Sequence, residues 1–388
     1  MKKRIISLLM IMCMAMTLLT GCGSKPANDA EGEVKTEADS EAKKASEKIT
    51  VTDMVGREVT IDGIPERVVA NNGALRFYCY VADVDKIVGV EQIEKKSSMG
   101  RPYAMANPSL AELPIVGQGG ASNTDNYEQV ISVNPDVIFV IGTDKAKVDT
   151  LQDKTGVPVV ALTYGDVTIF DEEVYESLKL IGKVMGDEER ANEVVEYMKA
   201  CKNDLNDRTK DIPNDKKSSV YIGAVSHRGA HGIESTRGNY PIFNAVNAKN
   251  VADETDTTGV IMIDKEKLIE WNPDKLFIDL GGIQLVQEDY KKNPEYYKSL
   301  NAFKNGEVYS QLPYNWYWTN IEIAMSNAYY VGKVLYPEQF EDIVPEEKAD
   351  EIYKTIVGKE LYSDIKEAYY GGFQKITLED LENIEVEN

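Results

Sequence analysis

Near-continuous apolar runs alternate with helical spacing through most of this chain. Arg67-Val68-Val69-Ala70, Lys86-Ile87-Val88-Gly89-Val90, Pro114-Ile115-Val116-Gly117, Asp136-Val137-Ile138-Phe139-Val140 and Val157-Pro158-Val159-Val160 read as strands, and Gly73 to Ala82 as a helix after the first. Strands that lack polar alternation are buried on both faces, which predicts parallel sheets covered by helices. A second series opens at Ser219-Val220-Tyr221-Ile222-Gly223 and runs through Lys275-Leu276-Phe277-Ile278 and Glu307-Val308-Tyr309-Ser310.

One segment is written twice. Glu128-Gln129-Val130-Ile131-Ser132-Val133-Asn134-Pro135-Asp136-Val137-Ile138-Phe139-Val140 recurs as Glu266-Lys267-Leu268-Ile269-Glu270-Trp271-Asn272-Pro273-Asp274-Lys275-Leu276-Phe277-Ile278. In each copy a helix must stop before the proline and a strand follows. Corresponding copies in the two series imply two lobes of similar topology. Between them, Ile169 to Leu205 carries helical spacing, with Gly186-Asp187 as a place where it could break. The expected architecture is α/β: two lobes with mainly parallel sheets, one long helical connector and a ligand cleft between the lobes.

The N-terminus bears on compartment. Lys2, Lys3 and Arg4 precede an apolar run from Ile5 to Leu19, too short to span a membrane comfortably but right for a signal peptide. Leu19-Thr20-Gly21-Cys22 then resembles a bacterial lipobox, which makes Cys22 the expected site of lipidation and of cleavage. Two or more acyl chains anchor stably where one does not. From Gly23 to about Glu47 there is no aromatic residue, and the Ala, Glu, Lys, Ser and Asp composition reads as a disordered tether. The expected division is 1–21 signal peptide, 22–48 tether, 49–168 first lobe, 169–205 connector, 206–336 second lobe and 337–388 helical extension.

A formal charge of −22 over 388 residues argues against nucleic acid as a partner and makes each arginine beside a cleft more informative. Of four cysteines, Cys13 and Cys22 belong to the leader, and Cys79 and Cys201 read as separate small core residues. No His-Glu-x-x-His, Gly-x-Ser-x-Gly, Walker-type loop or Gly-x-Gly-x-x-Gly is present, so no enzyme signature emerges and no cofactor is expected.

Candidate chemistry lies in loops at predicted strand ends, where open α/β sheets bind ligands. Arg76, Arg101 and Arg237 offer guanidinium forks for carboxylate, catecholate-type oxygen or an oxyanion. Tyr103 follows Arg101 in Gly-Arg-Pro-Tyr, while His231, Glu234, Ser235 and Tyr240 share a long glycine-bearing loop with Arg237. Tyr314, Trp316, Tyr317 and Trp318 crowd one loop and suit a ligand wall better than a core. His227 and His231 are four apart, but Gly229 and Gly232 disfavour the helix that a metal-binding face needs, leaving ligation by either as the lesser alternative.

These features together resemble the substrate-binding proteins of iron-complex, haem, cobalamin and related ABC importers, the class III periplasmic-binding-protein family. The resemblance covers nearly all of Ile49 to Tyr336. It is carried by Thr52-Asp53-Met54-Val55-Gly56-Arg57-Glu58-Val59-Thr60, then Pro65-Glu66-Arg67-Val68-Val69, then Tyr127 to Ile131 leading into Asn134-Pro135-Asp136. It implies a monomer, anchored outside the cell membrane, that captures an anionic metal complex such as a ferric siderophore and hands it to a permease driven by an ATPase. It also implies an acidic docking residue on each lobe, for which Asp144 or Asp149 and Glu288 or Asp289 are the candidates. A molybdate or tungstate oxyanion is the runner-up ligand. From other classes, an exported enzyme acting on metal complexes and a surface sensor or adhesion domain remain open.

Overall fold

The computed structural model describes residues 48–120, 126–142, 144–166 and 168–383. The expected signal peptide, Cys22 and nearly all of the tether lie outside these residues. Ala45–Asn388 forms one compact unit.

The folded part begins with an antiparallel hairpin of β1 (Lys48–Thr52) and β2 (Glu58–Asp62). The Asp53 to Arg57 turn is pinned by a guanidinium. Arg57 Nη1 donates to Asp53 (3.0 Å) and to the Val159 carbonyl (2.9 Å), Nη2 to Gln152 (2.6 Å) and Nε to Asp149 (2.8 Å). That explains why the Asp-x-x-Gly-Arg pattern is informative: it docks the hairpin onto a strand about a hundred residues downstream.

The first sheet contains β3 (Val68–Asn71), β4 (Ile87–Glu91), β5 (Ile115–Gly117), β6 (Val137–Ile141) and β7 (Val159–Leu162), all parallel, in the order β5-β4-β3-β6-β7. Helix Ala74–Val81 follows β3, as the spacing predicts. Apolar side chains cover both faces: Val68, Ala70 and Phe139 join the main core, while Val69, Ile138 and Val140 join a second cluster under Val130, Val148 and Leu151.

The second sheet contains β8 (Ser219–Gly223), β10 (Lys249–Asn250), β12 (Lys275–Asp279) and β13 (Val308–Gln311), also parallel, in the order β10-β8-β12-β13. Beside it, β9 (Ser235–Gly238) and β11 (Gly259–Met262) form an antiparallel ribbon. The written repeat has a structural counterpart in both sheets. Asn134 and Asn272 end their helices in the left-handed region (φ 47° and 38°). Asp136 then accepts from the Glu66 and Arg67 N–H groups (2.9 Å each), and Asp274 accepts from the Ser219 N–H and the Ser219 hydroxyl (2.8 Å each). Each aspartate thus ties the start of the neighbouring strand, β3 or β8, and helps to set its register.

Two features refine the sequence expectation. The 169–205 segment is two helices, Glu172–Met185 and Glu188–Thr209, broken at Gly186-Asp187. The first packs on helix Ala74–Val81. The second, 22 residues long and therefore about 33 Å, is the true connector, burying Ala191, Val194, Val195, Met198, Cys201 and Leu205. The segment after Tyr336 is not an appendage. Its helix Pro345–Val357 packs on helix Ile321–Leu335 and on the first-lobe helices Ala74–Val81 and Pro102–Ala106, and Arg190 Nη2 of the connector donates to the Thr355 carbonyl (2.7 Å). Farther on, Lys375 pairs antiparallel with Tyr309 and adds an edge to the second sheet. Cys79 and Cys201 are free thiols, as expected.

Candidate functional site

Both sheets have a topological switch point, between β3 and β6 in the first and between β8 and β12 in the second, and ligands of open α/β sheets lie at the C-terminal strand ends beside such points. At the first, Gly73 (φ 87°) follows β3 and Gly142 (φ 69°) follows β6. A side chain at either position would collide with the indole of Trp318; a Gly142 Cβ would stand 2.6 Å from its ring. Trp318 lies stacked on Tyr164, at 5.2 Å between ring centres and 3° between planes. The aromatic loop of the second lobe therefore fills the crevice of the first.

That insertion bends the backbone. Tyr317 and Trp318 are consecutive bulky residues in the left-handed region, at φ 50° and 67°. Such conformations cost about 1–3 kcal/mol each and persist only where the surroundings enforce them. The enforcing contacts are evident. Arg76 Nη2 donates to the carbonyls of Trp316 (3.1 Å) and Tyr317 (2.8 Å), its Nη1 to Tyr164 (2.6 Å) and its Nε to Asn320 (3.1 Å). The Tyr317 hydroxyl donates to the buried Glu91 carboxylate.

Arg76 and Arg101 are thus spent inside the protein, where the sequence had them reaching for a ligand. Arg76 is 1% exposed. Burial works against its charge, but Tyr164, Tyr103, Tyr80 and Glu322 around it more than offset this and keep it protonated. Arg101, fully buried, pairs with Glu94, donates to the Lys96 and Ser97 carbonyls (3.2 and 3.0 Å) and lies 4.5 Å above the Trp316 ring centre. Tyr103 closes the same group by donating to Glu94 (2.9 Å).

Arg237 differs from both. It sits half-buried on β9 with no ion pair from its guanidinium among the described residues, and its Nε, like that of Arg101, is buried without a hydrogen-bond partner. Its charge reaches Tyr240 and Tyr314, both buried, and both amide atoms of Gln311 likewise lack partners. Gln311 is in register with Asp279 at the C-terminal ends of β13 and β12. Asp279 is the chief residue that sequence reasoning passed over. The signal was present: an acid closing an apolar strand, followed by Gly281-Gly282.

Burial pushes the Asp279 carboxyl from its ordinary 3.8 up to about 6, with the N–H groups of Gly281 (2.8 Å) and Ser226 (3.2 Å) acting the other way. Since the folded state holds this proton more tightly than the unfolded chain, its contribution to stability is present below about pH 4 and lost as pH rises through about 6. A gap of about two pH units corresponds to about 3 kcal/mol. Asp279→Asn is therefore expected to gain stability relative to the parent between pH 4 and pH 7, by up to about that amount. A difference that stays constant with pH in urea melts would refute the assignment.

The remaining candidates divide. Ser235 is fully buried and donates to the Val225 carbonyl (2.8 Å), a loop tie and not a ligand contact. Glu234 acts on Tyr221, Tyr296 and Tyr297. His231 uses Nε2 on the His227 carbonyl (2.8 Å), so His227 and His231 are not brought together as a ligand pair. Among the described residues, no group of three or more His, Cys, Asp or Glu could hold a metal ion. Of the rim carboxylates, Asp149 is bonded to Arg57 and Lys145, and Asp289 to Lys265 and Tyr297. Asp144 and Glu288 stay largely exposed, the first capping helix Lys145–Thr155.

Two α/β lobes, a helical connector and facing strand ends define the fold, and residues 76–313 match the family model described as periplasmic binding protein. The chain belongs to that family. Among its relatives, the uncharacterized ABC transporter substrate-binding lipoprotein YvrC of Bacillus subtilis is 27% identical, over 77% of this chain and 87% of the relative. The molybdate-binding protein MolA of Haemophilus influenzae is 26% identical, over 78% and 89%. A periplasmic solute-binding protein of Veillonella parvula shares the fold, with a TM-score of 0.66 at 19% identity over 82% of this chain and 96% of its own. The protein is accordingly a substrate-binding protein of an ABC transporter. Proteins of this kind work outside the cytoplasm, bind small ligands and serve a permease and its ATPase; the relatives are binding proteins of transport systems. Among the described residues no helix is long and apolar enough to cross a membrane.

Proposed function

We propose that this protein captures an anionic metal chelate, of the ferric siderophore type, and delivers it to its permease while anchored through lipid on Cys22. The observation that carries the reading is Arg237, whose buried Nε has no partner and which lies within electrostatic reach of the buried rings of Tyr240 and Tyr314. Unpartnered buried polar atoms are rare and need an explanation, and a ligand supplies one for Arg237. A guanidinium beside rigid rings suits a broad oxygen-rich anion.

A bare molybdate or tungstate would instead call for several cationic donors converging on a small site, and Arg76 and Arg101 are committed elsewhere. Docking on the permease would use Asp144 and Glu288, the outward-facing candidates.

The test is a thermal-shift screen with ferric catecholates, ferric hydroxamates, ferric citrate, haem, cobalamin, molybdate and tungstate. At a hundred times its dissociation constant a ligand stabilises by about 2.7 kcal/mol. A shift with one chelate that disappears in Arg237→Ala is expected. A shift with molybdate or tungstate alone replaces the chelate reading with the oxyanion one, and silence throughout removes both.

A further inference from the structure

The Trp316-Tyr317-Trp318 loop belongs to the protein's own packing, yet its position is that of a guest. The indole of Trp318 lies between Gly73 and Gly142, at the switch point between β3 and β6, flat against Tyr164. Next to the ring, two oxygen atoms, the carbonyls of Trp316 and Tyr317, accept from one guanidinium nitrogen of Arg76. Asn71, closing β3 at the same strand end, keeps a buried Oδ1 without a partner.

A flat ring with two oxygens beside it is the chemistry of an aromatic chelating group. The absent Cβ atoms at Gly73 and Gly142 make the slot as wide as a ring. The host surfaces come from the first lobe and the guest from the second, through a backbone held in the left-handed region at two bulky residues.

We infer that this crevice is an aromatic subsite for the ligand, and that Trp318 is its resident occupant, which an incoming aromatic ring flanked by paired oxygens displaces. The inference rests on the chelate reading above and narrows it to chelates whose donor groups are carried on aromatic rings. Trp318 is then a competitor of the ligand and not a wall of its site. When only a fraction of molecules has the crevice open, the apparent affinity falls by that fraction, and removing the competitor restores it.

The experiment compares the full chain with Trp318→Gly and Trp318→Phe. Indole and catechol are tested by thermal shift, and gallium(III) tris-catecholate by calorimetric titration. Saturable stabilisation of Trp318→Gly by either ring is expected, with none for the parent or for Trp318→Phe, whose phenyl ring refills the slot. Binding of the gallium chelate is expected to be tenfold tighter or more in Trp318→Gly than in the parent.

A folded Trp318→Gly that ignores both rings, or that binds the gallium chelate more weakly than the parent, overturns the inference. In that case, Arg237-dependent capture of a chelate by the parent leaves the transport reading standing. Rings taken up by Trp318→Gly while neither protein binds any chelate overturn the inference together with the chelate reading, since they show only a cavity of the size of the lost indole. If Trp318→Gly fails to fold, Trp318→Ala, which also empties the slot, gives the same decision: stabilisation by either ring with tighter chelate binding supports the inference, and weaker chelate binding overturns it.

Discussion

Arg76→Met is expected to cost about 3–5 kcal/mol of folding free energy, because it removes one buried charge and leaves its partners uncompensated. Those partners come from both lobes. Tyr164 belongs to the first; Asn320 and the carbonyls of Trp316 and Tyr317 belong to the second. Methionine fills much of the volume but offers none of the donors, so two carbonyls lose their partner and the buried Glu322 loses its nearby cation. Burial pushes the Glu322 carboxyl upward, and the charge of Arg76 is what opposes this. The loss should therefore be accompanied by faster amide hydrogen exchange over residues 314–320, since the left-handed turn at Tyr317 and Trp318 loses what enforces it. Urea unfolding within 1 kcal/mol of the parent, with the loop equally protected, would show that Arg76 is not the pin.

Arg101→Met is expected to show a loss of the same order, about 3–5 kcal/mol, from the opposite cause: it strands an acid. Glu94 is 5% exposed, and Arg101 is its ion-pair partner, with Tyr103 as a neutral donor. The Lys96 and Ser97 carbonyls lose their donor at the same time, and Trp316 loses a cation over its face. The decisive comparison is a double-mutant cycle with Glu94→Leu. Replacing both members of a buried ion pair by apolar groups is often neutral, so Glu94→Leu/Arg101→Met should recover most of the loss. Additive losses in the double variant would mean that the two side chains act independently, against the geometry.

Asp279→Asn and Arg237→Ala probe the other half of the cleft, one through pH and the other through ligand. Together with Arg76 and Arg101 they separate two roles that look alike in the sequence. Three arginines stand in predicted loop or loop-adjacent positions of a strongly acidic chain, and nothing local distinguishes them. Arg76 finds Asn320 across 244 positions and Tyr164 across 88, contacts that only the folded chain creates. Arg101 finds Glu94 as an ion-pair partner, whereas the Arg237 guanidinium has no ion pair among the described residues. The aromatic loop shows the same division. Its density of rings marked it as unusual, but that it enters the other lobe's crevice depends on Gly73 and Gly142 arriving at one place.

Residue order alone determined the α/β class, strands β3 to β8, β12 and β13 within a residue or two of their ends, and the correspondence of the two lobes, but not β9, β10 or β11. The reason is that burial period, proline and glycine punctuation and the Asn-Pro-Asp repeat all act over a few neighbouring residues. Even the break at Gly186-Asp187 was legible as a local weakness, although which helix became the connector was not. The tertiary structure alone decided which arginines are internal, which acids are buried, and that residues 337–383 brace the body. A guanidinium or a carboxylate takes its role from whichever partners approach within about 3 Å, and those approaches are set by long-range packing that no local pattern records.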